Sequence, residues 1–471
     1  MIKKFYNKIF KNLNSKEVFY KYFNELYFYS DVLKIFIIFN KFIIKYKIRK
    51  QSKICILSEK TFQHYSLIIS ILLSNNVWIP LTNKNPLERN LKIIKIVKPQ
   101  IIFVDRKNLT FLKKFVRQKY RIKIFVIEDL ISSLKKINIK NEEIQYEPIH
   151  KDNDLAMIFF TSGSVGEPKA VPISQINYLT SLYGQLTNLF DKKKKYFFAD
   201  MHDTSFVISL NILLPCIYYK SAIVPMKNSS DHLYAINFLK KNKINFLITL
   251  PSFINQIQLS VFERDKKMKL DTIIMCGEPF YPAIIKTIKN KFSPNKIFNC
   301  YGSTELSPWV FYYKYRPNHN KLINLLGIVP IGKPYKFVKI YKRKSELILG
   351  GKNVVNGYLN SPNQSKFFVK RNLRYYRTGD IFIKKKNIYF IKGRRDKLIK
   401  IRGHRVELLE IESVLRKNKS ITNCVVFSIK KGQIDNIFAA LESSYSNSNK
   451  IYKWVKKILP NYMIPKDIIF Y

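Results

Sequence analysis

Phe159-Phe160-Thr161-Ser162-Gly163-Ser164-Val165-Gly166-Glu167-Pro168-Lys169 runs from aromatic, strand-forming residues into a turn crowded with Gly, Ser and Thr and closed by a lysine. Such a loop suits an oxyanion. Glycines let backbone N–H groups approach with no Cβ in the way, hydroxyls add donors, and the lysine adds a point charge. The Gly-x-x-x-x-Gly-Lys-Ser/Thr spacing of a nucleotide P-loop is absent. On these residues alone an ordinary polar turn stands as the alternative.

Outward from this loop, short β-rich runs alternate with amphipathic stretches, which predicts an α/β fold with mainly parallel strands. One unit begins at Ser230, a helix cap followed by Leu233, Ile236 and Leu239 at helical spacing. A strand over 244–250 then stops at Pro251. A second unit runs from a strand over 273–276 into a helix started by Pro282, with Ile284, Ile285, Ile288 and Phe292 on one face. Beyond Gly350-Gly351 the pattern turns hairpin-like, with strands over 381–384 and 387–391, and the charged segment 393–400 reads as a connector. The expected architecture is a large layered domain over 1–391 and a small α+β domain over 392–471.

The 471 residues include 84 Lys+Arg and 32 Asp+Glu, a net charge of +52. The lysines spread through the whole chain with a surplus of Ile, Asn, Phe and Tyr, the pattern of AT-rich coding, and form no stripe of the kind a nucleic-acid module needs. No specific nucleic-acid partner is expected. Five cysteines at scattered spacings make no zinc or redox pair and fit a reducing cytoplasm. The apolar stretch 32–44 is broken by Lys34, Asn40 and Lys41, so no membrane span is expected, and residues 1–10 carry no signal-peptide core.

Further segments complete a set. They are Val77-Trp78-Ile79-Pro80-Leu81, Asn299-Cys300-Tyr301-Gly302-Ser303-Thr304-Glu305, Tyr376-Arg377-Thr378-Gly379-Asp380, and Gly393-Arg394-Arg395-Asp396 followed by Lys400-Ile401-Arg402-Gly403-His404-Arg405-Val406-Glu407. With the 159–169 loop, and in this order, they resemble the adenylate-forming (AMP-binding) enzymes, above all the amino-acid adenylation domains of nonribosomal peptide synthetases and the ligases that load D-alanine onto carrier proteins. The resemblance runs nearly end to end. It implies ATP-dependent activation of an amino acid as an aminoacyl-adenylate, then transfer to the phosphopantetheine thiol of a carrier protein supplied in trans, since no Gly-Gly-x-Ser attachment site follows.

The resemblance also implies roles for single residues. Thr161, Ser162, Gly163, Ser164, Gly166 and Lys169 would hold the outer phosphates of ATP. Thr304 would touch the α-phosphate, with Gly302 and Ser303 beside it, and Glu305 would hold Mg²⁺. Tyr301 would stack on adenine with Asn299 at its amino edge; Asp380 would bind the ribose hydroxyls and Arg394 would support the nucleotide. Asp203, in His202-Asp203-Thr204-Ser205, would pair with the substrate ammonium, and Thr204, Val207, Ile274, Cys276, Cys300, Pro308 and Trp309 would line the pocket. Cys276-Gly277-Glu278 is similar to the D-alanine ligases, and the bulk of Trp309 suggests a small amino acid. Asp396 would be the hinge that swings Lys400 towards the adenylate.

Some positions depart from the family pattern. Val165 replaces a threonine and Ala170 a glycine in the phosphate loop, and the catalytic lysine expected beyond Leu459-Pro460-Asn461-Tyr462-Met463-Ile464-Pro465 is not reached before Tyr471; Lys466 reads as surface charge. The alternatives are an acyl- or aryl-acid ligase and a catalytically impaired, nucleotide-binding relative.

Overall fold

Continuous apolar runs such as Ile54-Cys55-Ile56-Leu57 build strands with no polar face, and such strands are stable only when both faces of their sheet are covered. In the strand Lys53–Leu57, Ile54 and Ile56 join the main core with Trp78 and Phe103. Cys55 and Leu57 point the other way, into a second cluster with Ile93 and Val97 of the helix Leu87–Val97. The computed structural model describes residues 1–116, 122–132, 145–163, 167–259, 267–343, 345–361, 364–395, 398–418, 420–431, 434–443 and 447–471. Ser164, Val165, Gly166 and Asp396 lie outside the described residues.

Among the described residues a large N-terminal domain carries two mainly parallel sheets. One orders its strands Lys123–Val126, Ile101–Val104, Lys53–Leu57, Val77–Pro80, Leu155–Thr161 and Lys169–Ser174, all parallel except the last. The other has a parallel centre, in the order Phe292–Gly302, Met268–Cys276, Phe246–Thr249, Phe197–Asp200, Ala222–Pro225 and Val18–Tyr22. An antiparallel sheet follows, built on the long strand Leu373–Lys385. The smaller C-terminal domain pairs a hairpin, Leu398–Ile401 with His404–Glu407, with the strands Ile421–Lys431, Ile434–Ser443 and Asp467–Phe470. Its core is its own: Val406, Ile411 and Val414 pack with Cys424, Leu441, Ile451 and Val455, apart from the main cluster.

Several local expectations change. The helix near Ser230 is capped by Asn228, whose capping box with Asp231 takes that role, and it breaks at Tyr234 into Ser229–Leu233 and Ala235–Lys241. Leu233 is left exposed, so it is not part of the buried face. Pro282 does start the helix Pro282–Lys291, and Ile284, Ile285 and Ile288 are buried, but Phe292 opens the next strand. The hairpin strands are longer than expected, Leu373–Lys385 and Ile388–Arg394. Residues 393–400 are not simply a connector: Gly393 and Arg394 pair with Ile381 and Asp380, and Leu398 and Lys400 pair across the next hairpin. Charge hid this, because a strand lining a polar site carries polar side chains. The 32–44 stretch lies in the helix Tyr29–Lys45, with Lys34 on its open face, and among the described residues no helix is long and apolar enough to cross a membrane.

Separate cores predict separate melting. Ile411 is fully buried in the C-terminal core. Ile411→Ala should cost about 2–5 kcal/mol there. In calorimetry the C-terminal transition should move down while that of the large domain stays in place.

Candidate active site

Parallel strands end together, and their carboxyl ends gather loops whose side chains face one crevice. Here two sheets aim at the same place. Pro80 ends Val77–Pro80 and Thr82 follows it, Thr161 ends Leu155–Thr161 and Ser162 follows it, and His202 and Asp203 follow Phe197–Asp200. Leu250 to Phe253 follow Phe246–Thr249, Glu278 follows Met268–Cys276, and Thr304 follows Phe292–Gly302. All line one cavity of about 1180 Å³, closed on its far side by Arg89 and by Lys400, His404, Arg405 and Tyr462 of the C-terminal domain. A narrower cavity of about 70 Å³ opens beside it, walled by Val207, Gly302, Ser303, Thr304, Pro308, Trp309, Asp380, Arg394 and Lys400. Asp380 and Thr304, far apart in sequence, therefore share one wall.

The Gly302 turn is set by sterics. A Cβ there would lie 1.7 Å from the Pro308 carbonyl oxygen, so no other residue permits this turn. Gly277 and Gly403, both with left-handed φ (+77° and +76°), face each other with Leu250 between them, and this lets the C-terminal hairpin reach the sheet end. Glu278 completes that contact by accepting the N–H of Gly403 at 2.7 Å and both donors of Ser252.

Asp203 is partly buried. It accepts hydrogen bonds from the Thr82 hydroxyl at 2.8 Å and from the backbone N–H and hydroxyl of Ser205, and Lys84 lies 3.5 Å from its Oδ2. Burial works against its charged form, but Lys84, Ser205 and Thr82 outweigh it and hold the carboxyl below the usual range. The backbone that carries Asp203 is fixed by Lys60, whose ammonium donates to the carbonyls of Asp200 (2.6 Å) and His202 (3.1 Å). Nothing in the local sequence marks Lys60, since its role depends on a chain turn 140 residues away.

Glu305 is fully buried. Its Oε1 accepts from Arg405 at 2.9 Å and from the Tyr358 hydroxyl at 2.8 Å, while Oε2 has no partner among the described residues. Burial raises its pKa, but Arg405 and Tyr358 more than offset this and bring it down to about 2. Asp380 accepts from Tyr301 and Arg394, and Arg394 also donates to the Thr378 carbonyl. The Lys400 ammonium has no hydrogen-bond or ion-pair partner among the described residues. Burial lowers its pKa and the nearby Arg394 and Arg405 lower it further, against the pull of Asp380.

Other expected site residues sit back from the cavities. The Asn299 amide donates to the Pro330 carbonyl at 2.9 Å, and Tyr301 is held by Asp380. Thr204, Ile274, Cys276 and Cys300 are buried and absent from both cavity walls. Cys276 and Cys300 stand opposite each other on neighbouring parallel strands. Lys169 is ion-paired to Glu407 at 2.8 Å, Ser162 donates to the Arg405 carbonyl, and the Gly163 N–H donates to Glu410 at 3.0 Å. Arg89 and Glu410 were not recognisable as site residues from sequence. They are a buried ion pair at 2.9 Å whose partners lie 321 residues apart.

A layered α/β body whose two sheets converge on one crevice, lidded by a small α+β domain that contributes polar residues to it, defines a two-domain nucleotide-dependent ligase scaffold. The AMP-binding enzyme family profile matches residues 25–359, and the chain belongs to that family. Its sequence is 28% identical over 425 residues to a D-alanine–D-alanyl carrier protein ligase of Listeria welshimeri, covering 84% of this chain and 81% of the relative. It is 26% identical over 414 residues to the ligase of the same description from Staphylococcus epidermidis, with 85% and 81% covered. Among solved structures, the Vibrio cholerae adenylation domain AlmE in complex with glycyl-adenosine-5'-phosphate superposes with a TM-score of 0.87 at 20% identity, covering 100% of this chain and 94% of that one. The Klebsiella oxytoca NpsA-ThdA adenylation-carrier fusion gives 0.85 at 17% identity, with 99% and 93% covered.

Two histidines beside the cavity predict a pH limit. His64 and His202 are buried, and burial lowers their pKa from 6.5 to about 4 and about 3. In the unfolded chain they take up protons below 6.5, so their contribution to stability is full above that value and is lost as pH falls towards 3 to 4. The loss at pH 5 should be about 2 kcal/mol per histidine. Replacing both by glutamine should reduce the fall in melting temperature between pH 7 and pH 5, as read by circular dichroism, the remaining fall coming from His232 and His404, whose pKa values burial also lowers to about 4.

Proposed function

We propose that this protein activates a small amino acid, of the alanine class, as its aminoacyl-adenylate and loads it onto the phosphopantetheine thiol of a separate carrier protein. The observation that carries the reading is Asp203, a charged carboxylate on the wall of the cavity that also contains Thr161, Thr304 and Lys400. An amino-acid substrate brings the cation that this acid requires. The Lys84 ammonium beside Asp203 is mostly exposed and keeps the acid paired until a substrate amine takes its place. The narrow cavity between Val207, Pro308 and Trp309 suits a short side chain, and the relatives described as D-alanine–D-alanyl carrier protein ligases support the choice of substrate.

In the first step a carboxylate oxygen of the amino acid bonds to the α-phosphorus of ATP as the bond to pyrophosphate breaks. In the second the carrier thiolate bonds to the acyl carbon and AMP leaves. Gly163, Lys169 and the hydroxyls of Thr161 and Ser162 would hold the outer phosphates, Thr304 the α-phosphate, and Asp380 with Arg394 the ribose. Ser164 and Gly166 are assigned to the same loop, with Gly302, Ser303, Asn299 and Tyr301 around the base. The buried, unpartnered Oε2 of Glu305 fits a hard cation such as Mg²⁺. Mg²⁺ would supply charge neutralisation between phosphate oxygens. Lys400, half-buried on the walls of both cavities, would lie beside the reacting carboxyl. Thr204, Ile274, Cys276 and Cys300 would shape the pocket from behind, and we assign the hinge between a unit over 1–391 and one over 392–471 to Asp396. Five buried free cysteines fit a reducing cytoplasm.

The Lys84 contact also favours a second reading, an acyl- or aryl-acid ligase in which Asp203 stays paired internally. Exchange of labelled pyrophosphate into ATP separates the two. D-alanine, L-alanine or glycine should stimulate exchange and propionate should not. Asp203→Ala should lower kcat/KM for the amino acid by about 100-fold or more. Exchange with simple acids alone, unaffected by Asp203→Ala, would reject the amino-acid reading.

A further inference from the structure

The acid assigned to the substrate ammonium stands at the end of one sheet, and the loop assigned to the phosphates opens from the end of the other. Asp203 follows Phe197–Asp200, whereas Ser162 follows Leu155–Thr161. The reacting carboxyl meets the α-phosphorus only if these two ends keep a fixed spacing, since a misplacement of about 1 Å can cost about 100-fold in rate. Two side chains of the phosphate-side sheet span the gap. Lys60 follows the strand Lys53–Leu57 and Thr82 follows Val77–Pro80, the next strand in that sheet, which in turn pairs with Leu155–Thr161. Thr82 donates to the Asp203 carboxylate at 2.8 Å. Lys60 works on the backbone that leads into Asp203, donating to the carbonyls of Asp200 at 2.6 Å and His202 at 3.1 Å. The Asp200 carbonyl already accepts the Met226 N–H at 2.9 Å, and the Lys60 side chain is only 13% exposed. A neutral donor would satisfy the remaining carbonyl with less desolvation. The ammonium has its own counter-ion instead, the buried Asp200 carboxylate at 3.8 Å, which the Tyr65 hydroxyl holds from the other side. Burial lowers the Lys60 pKa and raises that of Asp200, and each group pulls the other back towards its charged form.

We propose that Lys60 is a positioning residue for amino-acid recognition: it registers the turn carrying Asp203 against the sheet end carrying the phosphate loop, and so fixes where the substrate ammonium sits relative to the reacting carboxyl. Asp200 and Tyr65 keep the ammonium charged and aimed. Lys60 lines neither cavity, so it acts through Asp203 and not on the substrate. This rests on the amino-acid ligase reading and deepens it by naming what holds the amine subsite in place. The contact joins the two sheets of the large domain, and it is the charge on Lys60, with a donor reaching two carbonyls at once, that a neutral side chain of similar length cannot reproduce.

The test is pyrophosphate exchange with the full chain, the amino acid (D-alanine, L-alanine or glycine) and ATP being varied separately, alongside thermal melting by circular dichroism. Lys60→Met keeps the stem and loses the donor. It should raise KM for the amino acid about tenfold, the order expected when a hydrogen bond from a charged group is lost, while KM for ATP stays within about twofold. The single variant also strands the Asp200 carboxylate, so its melting temperature should fall. Adding Asp200→Asn removes the stranded charge: the double variant should recover the melting temperature and keep the raised KM, a separation that a merely structural lysine would not give. In the residual exchange of Asp203→Ala, introducing Lys60→Met should change kcat/KM by less than about twofold, because the residue it acts through is gone. The positioning role is overturned if the double variant restores KM together with stability, if KM for ATP and for the amino acid rise alike, or if Lys60→Met costs the same with and without Asp203. Failure of the ligase reading shows elsewhere, in the unaltered protein: no exchange with any amino acid overturns both, whereas an active protein whose KM is indifferent to Lys60→Met overturns the positioning role alone.

Discussion

The contact on which the closed arrangement depends is the Glu305–Arg405 ion pair, in which a fully buried carboxylate of the large domain meets a guanidinium of the small one. Charges this deep are expensive to desolvate, and removing one member of such a pair typically costs about 3–5 kcal/mol because the other is left uncompensated. Tyr358 and Tyr376 hold the pair from both sides, the first donating to Glu305 and the second meeting Arg405 at 3.1 Å. Charged partners at a domain seam can be satisfied by water and ions on separation, which an apolar seam cannot be. An apolar seam of equal area would hold the domains shut.

Around this pair the seam is mostly polar, with Leu250 and Phe206 packed on the Gly403 turn and His404 as its apolar part. Ser162, Gly163 and Lys169 meet Arg405, Glu410 and Glu407, and Glu278 meets the N–H of Gly403. Each domain keeps its own apolar core, so separating them leaves both cores intact. Several of the groups that join the domains, Ser162, Gly163 and Lys169 among them, are the ones the proposed function assigns to the nucleotide's phosphates.

Asp203 illustrates a related economy. Thr82 and Ser205 fix the carboxylate, Lys60 fixes its backbone, and Lys84 supplies a counter-charge from an exposed side chain. An acid held in this way is charged with no ligand present, as the amino-acid reading under the proposed function requires.

The order of the motifs, the α/β alternation, the Pro282 helix start and the resemblance of the 159–169, 299–305 and 376–380 segments were legible in the sequence, because local spacing and backbone chemistry are written in adjacent residues. The helix break at Tyr234 and the strands at Gly393 and Lys400 were not. Pairing across a sheet overrides local charge, and a capping residue such as Asn228 is chosen by geometry two turns away from the apolar face. By itself the sequence determined the family and the α/β layering, and it supplied the loop over 161–169 and the acid at Asp203 on which the proposed function rests. Only the tertiary structure decided that Glu407, Glu410 and Arg89 belong to the site, since their significance lies in partners 238 to 321 residues distant, brought together where two sheets end and a second domain closes over them.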